Sequence, residues 1–167
     1  MENIVVAEQS LHTDDCFEDI IEKYSGMVYR IAFSQMKNKS DADDVFQEVF
    51  CRYLRKKPRF QSEEHQKAWL IRVTVNCCKS MYTSAWRKRT VPLDEYMAYM
   101  PEEQRDFSRE LLKLPQKYHT VIHLHYYEDM SVDEISKAIG KSQSAVKMRL
   151  SRAREMLKGI FGEDYYV

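Results

Sequence analysis

Apolar residues recur at three- and four-residue intervals along most of this chain, the spacing that turns one side of a helix inward. Phe17, Ile20, Ile21, Tyr24, Val28 and Ile31 keep that spacing and predict an amphipathic helix from about Cys16 to Met36. Lys37-Asn-Lys-Ser40 interrupts it. Ser40, with Asp41 and Asp43 close behind, predicts the start of a second helix, because acids in a first turn meet the positive end of the helix dipole. That helix carries Val45, Phe46, Val49, Phe50 and Leu54 toward a core and ends before Pro58. Arg59 to His65 reads as a polar loop. A third helix, from near Glu64 to Trp86, offers Ala68, Trp69, Leu70, Val73 and Cys77 for packing.

The pattern changes after Arg87. Through Phe107 the chain holds Pro92, Pro101 and scattered acids with little apolar period, which predicts a linker. A second helical unit follows: a helix from about Phe107 to Lys113, the break Leu114-Pro115, and a helix from Gln116 to Tyr127. Leu111, Leu112, Val121, Ile122, Leu124 and Tyr126 are available as its core.

Two short amphipathic helices around a glycine close this unit. Ser131 and Glu134 have the spacing of a capping box, in which each side chain satisfies a backbone N–H of the other. Ile135, Ala138 and Ile139 share a face, and Gly140 stands where a tight turn needs a residue free of Cβ strain. Ser142 caps a second helix whose Val146, Leu150, Ala153 and Leu157 point inward. Lys141, Lys147, Arg149, Arg152, Arg154 and Lys158 surround that face, against Glu155 alone. A capped helix, a glycine turn and a basic second helix make a helix-turn-helix, whose second helix enters the major groove of DNA.

Composition narrows the class. With 4 glycines and 4 prolines in 167 residues, little sequence remains for β-turns. The expected fold is all-α: two small helical domains joined by a flexible linker, the C-terminal one containing the helix-turn-helix. The expected boundaries are a polar arm over 1–15, a first domain over 16–90, a linker over 91–106, a second domain over 107–162 and a frayed tail over 163–167. Formal net charge is zero, yet charge is segregated. Met1 to Glu22 contains acids and neither lysine nor arginine, whereas Arg52 to Arg59 is basic without an acid. Separate surfaces for separate partners follow. No apolar run approaches the roughly 20 residues that span a bilayer, and the acidic N-terminus is unlike a signal peptide. A soluble, cytoplasmic protein is expected. Cys16, Cys51, Cys77 and Cys78 lack metal-ligand spacing and are expected as free, unreactive thiols.

Catalysis finds little support. His119 and His123 have the interval of two metal ligands on one helix face, but the stretch His-Thr-Val-Ile-His lacks the glutamate a zinc hydrolase places after its first histidine. No Gly-rich phosphate loop or nucleophile elbow occurs. No catalytic residue, metal site or cofactor is expected.

Three stretches together resemble one family. Asp41-Ala-Asp-Asp-Val-Phe-Gln-Glu-Val-Phe50 is similar to an acidic signature of bacterial RNA polymerase sigma factors, and Ala68-Trp-Leu-Ile-Arg-Val-Thr-Val-Asn76 to a second stretch of the same domain. Leu114 to Leu124, with Ser144 to Arg154, resembles the closing domain. The short length and missing middle domain make the chain similar to the extracytoplasmic function (ECF) group. The resemblance implies a non-catalytic specificity subunit that brings core RNA polymerase to promoter DNA and helps open it. It further implies docking on the β′ clamp coiled coil and the β flap, and control by an anti-sigma factor.

The residues fit those roles chemically. Asp43, Asp44, Gln47 and Glu48 form an acidic stripe beside an apolar face, suited to a basic helical partner. Resemblance assigns the minus-ten element to the third helix and the loop before it. There Arg59, Phe60, Gln61, Asn76, Lys79, Tyr82 and Arg87 are the candidates, offering phosphate neutralisation, base-edge hydrogen bonds and stacking. Tyr82 fits either core packing or stacking. For the minus-thirty-five element the candidates are Gln143, Ser144, Lys147, Met148, Ser151 and Arg152. Lys147 and Arg152 suit guanine or phosphate, while Met148 departs from the polar residue common at its place and suits a thymine methyl. Acids in the linker (Asp94, Glu95, Glu102 and Glu103) would mimic nucleic-acid charge, or merely solvate a tether. A stand-alone helix-turn-helix regulator, or a sigma-like regulator needing a co-subunit, are the rival readings. A repressor of the first kind binds its operator without polymerase; a sigma factor needs core.

Overall fold

The structure is a computed structural model that describes residues 16–84 and 109–161, the side chains of 160–161 excepted. The expected N-terminal arm, the linker, the tail and Arg87 lie outside the described residues. Every regular element among the described residues is a helix: α1 (Phe17–Met36), α2 (Lys39–Lys56), α3 (Glu63–Thr83), α4 (Gln116–Tyr126), α5 (Val132–Ile139) and α6 (Gln143–Phe161).

Local chemistry sets the ends. Asn38, and not Ser40, begins α2: its backbone is extended, its side-chain oxygen accepts from the Asp41 N–H at 2.8 Å, and its amide donates to the Asp41 carboxylate at 2.7 Å. Asparagine is as good an N-cap as serine, and only Asn38 has both partners in reach. Ser62 caps α3 by accepting from the His65 N–H at 3.1 Å. The Ser131–Glu134 capping box forms in full at α5, and Gly140 ends that helix at φ 65°. Ser142 accepts from the Ala145 N–H at 3.2 Å and so starts α6. α1 ends on Lys37 at φ 62°, left-handed backbone that costs a side-chain-bearing residue energy. Lys37 Nζ donates to the Leu112 carbonyl at 2.6 Å, so the sharp exit aims this side chain at the second unit.

α1, α2 and α3 pack on one another, as do α4, α5 and α6. Val28, Ile31, Val45, Val49, Leu70 and Ile71 are buried in the first group, and Val121, Ile122, Leu124, Ile135, Val146 and Leu157 in the second. Each such side chain contributes about 1.5–3 kcal/mol through burial. Leu54, expected inside, is 47% exposed. It lies five residues past Val49, a rotation of roughly 140° away from the core direction, and the inward place goes to Tyr53 against Trp69 at 5.9 Å. The two groups also touch: α3 packs on α5 and α1 on α4. No helix among the described residues is long and apolar enough to cross a membrane.

Candidate nucleic-acid and polymerase interfaces

The helix-turn-helix is built by α5 and α6. Val146, Leu150, Ala153 and Leu157 hold α6 to the core, which leaves Gln143, Ser144, Lys147, Met148, Ser151 and Arg152 exposed on its outer side. Two hydrogen bonds set the helix crossing. Gln143 Nε2 donates to Asp133 Oδ1 at 2.9 Å, and Ser136 Oγ donates to the Lys141 carbonyl at 2.6 Å across the turn. Gln143 therefore orients the motif as well as standing at its face. Met148 is 48% exposed and offers an apolar surface amid cations, the chemistry a thymine methyl meets.

Two arginines of α6 are braced by tyrosines of α4, one of which, Tyr126, periodicity alone placed in a core. Arg154 Nε donates to the Tyr126 hydroxyl at 2.9 Å, and its guanidinium lies 5.7 Å from that ring's centre. Arg152 hydrogen-bonds the Tyr118 hydroxyl and, with Lys117, pulls that phenol's pKa below its usual value. A braced arginine loses less conformational entropy on meeting a phosphate or a base.

The α2 stripe is ordered by its own salt bridges. Asp43 pairs with Lys39 at 2.8 Å, and Glu48 with Arg52 at 2.6 Å and Arg55 at 3.2 Å. The Arg52 hydrogen bond is the largest influence holding the Glu48 carboxyl below its usual pKa. Asp44 and Gln47 stand exposed between these pairs, and Asp44 enters no ion pair among the described residues. Ala42, Val45 and Val49 occupy the buried opposite side.

On α3 and the loop before it, Arg59, Gln61, Asn76 and Lys79 are exposed. Phe60, the minus-ten candidate between Arg59 and Gln61, turns inward. It is 6% exposed and packs edge-on to Trp69 at 5.9 Å and to His65 at 5.5 Å. An aromatic ring beside an aromatic core gains more from burial than from water, even in a polar loop. Tyr82 is exposed on one side and tied to the fold at its hydroxyl. That hydroxyl donates to the Gln35 carbonyl at 2.6 Å and joins the end of α3 to α1. Gln61, Ser62, His65, Trp69 and Arg72 line a cleft of about 430 Å³ whose far wall includes Lys137 of α5. Partial desolvation of its ammonium lowers the pKa of Lys79, and Arg149 and Lys141 of the helix-turn-helix add to that effect.

Arg72 is the site residue the sequence reading passed over. It lies inside the Ala68–Asn76 stretch, and its guanidinium donates from Nε to the Ala138 carbonyl at 3.0 Å and from Nη2 to the Lys137 carbonyl. The histidines serve packing. His119 is fully buried, stacks on His123 at 6.3 Å, and is driven by burial to a pKa of about 3, so it is neutral. Among the described residues no group of His, Cys, Asp and Glu side chains is placed to hold a metal.

Known proteins share both halves of this arrangement. The sequence model "Sigma-70 region 2" matches residues 20–88, which contain the α2 stripe and α3, and "Sigma-70, region 4" matches residues 104–157, which contain the helix-turn-helix. The chain belongs to the ECF group of sigma-70 factors. Among its relatives is the RNA polymerase sigma factor SigV of Bacillus subtilis, 29% identical over 136 residues that cover 78% of this chain and 81% of SigV. ECF RNA polymerase sigma factor SigW of the same bacterium is 26% identical over 166 residues, covering 86% of this chain and 88% of SigW. The fold is that of two solved sigma structures. One is the sigma factor RpoE of Bartonella quintana, crystallised with the anti-sigma factor NepR (TM-score 0.72, 20% identity, 89% of this chain and 98% of that one). The other is CnrH in complex with the cytosolic domain of CnrY (TM-score 0.65, 24% identity, 89% of each chain). In this sigma factor the region 2 match ends at residue 88 and the region 4 match begins at 104, which brackets the segment between the described helices.

Proposed function

We propose that this ECF sigma factor acts as a cytoplasmic, non-catalytic subunit that binds core RNA polymerase, selects promoters and helps open them. The α2 stripe of Asp43, Asp44, Gln47 and Glu48 docks on the β′ clamp coiled coil, Asp44 and Gln47 being its exposed centre. Residues 16–90 form the polymerase and minus-ten domain, in which Arg59, Gln61, Asn76, Lys79, Tyr82 and Arg87 face the unpaired strand. Residues 107–162 form the minus-thirty-five domain, with Gln143, Ser144, Lys147, Met148, Ser151 and Arg152 toward the major groove and the β flap as its polymerase contact. Residues 91–106 join them. An anti-sigma factor silences the chain by covering these faces, a reading supported by the two solved complexes of this fold.

One observation carries the reading: a capped helix-turn-helix with an open basic face and a separate acidic helix stripe occur on one small chain. A repressor has no use for the second surface. The test is a mobility-shift titration on the DNA upstream of the chain's own gene, with this protein alone, with core polymerase alone and with both. The expected result is a salt-sensitive specific complex only when both are present. A specific complex with this protein alone would favour a free-standing regulator.

A further inference from the structure

Gln143, the first residue of α6, is tied by its side chain to α5. Its Nε2 donates to Asp133 Oδ1 at 2.9 Å. The other carboxylate oxygen, Oδ2, takes Lys137 Nζ at 2.7 Å, one helical turn further along α5. Each oxygen of Asp133 therefore has its own partner, and the ammonium offsets a negative charge that would otherwise repel DNA. The Lys137 hydrogen bond is the largest influence holding the Asp133 carboxyl below its usual pKa, so the group is ionised at neutral pH. The backbone beneath Gln143 is fixed as well. Ser142 Oγ accepts from the Ala145 N–H at 3.2 Å, and Ser136 Oγ donates to the Lys141 carbonyl at 2.6 Å. Asp133 and Gln143 are both exposed, so the pair stands at the surface of the motif.

The chemistry of this pair sets the direction of the amide. An ionised carboxylate accepts hydrogen bonds and cannot donate one, so only the nitrogen of the Gln143 amide can face it. A glutamine without such a partner can turn either end to a base: its oxygen to an amine, or its nitrogen to a carbonyl. With Nε2 held by Asp133, Oε1 is the end left open, and it has no partner among the described residues. In the major groove adenine N6 and cytosine N4 are donors, whereas guanine O6 and thymine O4 are acceptors. Adenine offers a second contact, because its N7 can take the remaining N–H of the amide. Guanine or thymine at the same place would set oxygen against oxygen. Discrimination of this kind works by leaving the wrong base unpaired.

We propose that Asp133 is a positioning residue through which Gln143 reads an amine-bearing base, adenine or cytosine, at one position of the contacted strand in the minus-thirty-five element. The proposal deepens the promoter-binding reading above and rests on it. Asp133 touches no base itself. It removes one of the two orientations open to the Gln143 amide, and so turns an adaptable contact into a selective one. Because the bond to Asp133 is made before DNA arrives, the amide loses little further freedom on meeting its base.

The test is competition binding by holoenzyme made from core RNA polymerase and the full chain. The probe is the promoter fragment upstream of the chain's own gene, with each base pair of its minus-thirty-five element changed in turn to the other three. At one position wild type should prefer adenine or cytosine on one strand over guanine or thymine by about tenfold. Gln143→Ala should erase that preference while the ranking at the other positions persists. Asp133→Ala should flatten the same position by admitting guanine and thymine. Asp133→Asn keeps an oxygen acceptor and should retain most of the preference, with circular dichroism confirming that each variant is folded. A uniform loss in Asp133→Ala, with the ranking intact at every position, would mean that the contact only holds the helix crossing, and overturns the proposal. A Gln143-dependent position that prefers guanine or thymine overturns it too, as does the absence of any Gln143-dependent position. Wild-type holoenzyme that binds none of the fragments overturns the promoter-binding reading itself, and the proposal with it.

Discussion

Gln35, next to last in α1, and Thr120, in α4, meet in a buried hydrogen bond of 2.9 Å across 85 positions of sequence. Thr120 Oγ1 passes its own proton to the Gln116 carbonyl at 2.8 Å, and Gln116 returns an amide hydrogen bond to Gln35. The Gln35 carbonyl also receives the Tyr82 hydroxyl. One glutamine therefore joins α1 to α3 and α4. Replacing it with leucine removes the amide that buried Thr120 accepts from and the oxygen that half-buried Gln116 donates to. Gln35→Leu should lower unfolding free energy by about 1–3 kcal/mol in urea titration. A surface substitution such as Lys117→Ala should stay within about 0.5 kcal/mol.

The cap of α5 is the second measurable feature. Ser131→Ala removes the acceptor for the Glu134 N–H and should cost about 1 kcal/mol. Gly140→Ala should cost a similar amount, about 1 kcal/mol, for a different reason. The added Cβ would sit 3.9 Å from Arg72 Nη2, an ordinary contact, so backbone strain at φ 65° is the whole penalty. Thermal unfolding of both variants checks the pair.

Acid should destabilise the fold in two steps. His119 is held to about 3 in the fold against an ordinary value of 6.5, so the unfolded chain binds the extra proton between those limits. Stability should fall as pH drops from about 6.5 toward 3, by at most about 1.4 kcal/mol per unit, and be insensitive to this group above 6.5. Glu128 loses from burial, but His123 and Arg30 outweigh that loss and hold it at about 2. Its stabilising part is present above its ordinary 4.5 and disappears as pH falls from there toward 2. Urea titrations at stepped pH should show the first slope flattened in His119→Phe and the second reduced in Glu128→Gln.

The α6 face separates positioning from reading. Lys147→Ala and Arg152→Ala should each weaken promoter binding by the holoenzyme by about 1–3 kcal/mol if they meet bases, and relax preference at one position. If a residue meets phosphate alone, the loss should be uniform across sequences and the salt slope should fall by about one. Competition binding on a promoter set at several salt concentrations distinguishes these outcomes. Gln143→Ala should act differently again, because it also removes the hydrogen bond to Asp133 of α5 and loosens the helix crossing.

Much of this was legible in residue order. The capping box at Ser131, the turn at Gly140 and the inward line of Val146, Leu150, Ala153 and Leu157 are local, and local chemistry reads directly from spacing. Errors arose where two residues competed or where distance in the chain was large. Asn38 displaced Ser40 as a cap because it alone had Asp41 for both halves of its amide. Leu54 turned outward by helix geometry, and the packing of Phe60 on Tyr53 and Trp69 from within a polar loop is a contact that periodicity does not show. Arg30 and Glu128 could not be paired from sequence, since a polar contact across 98 positions leaves no periodic trace.

Promoter-directed transcription tests the central claim most directly. Core RNA polymerase would be supplied with the DNA upstream of this gene, with and without the wild-type chain, Asp44→Arg/Glu48→Arg, or Lys147→Ala/Arg152→Ala. The account predicts a discrete start site that requires the wild-type chain and is lost in both variants, with each variant still folded. Absence of any transcript with wild type, alongside tight duplex binding by the chain alone, would contradict it.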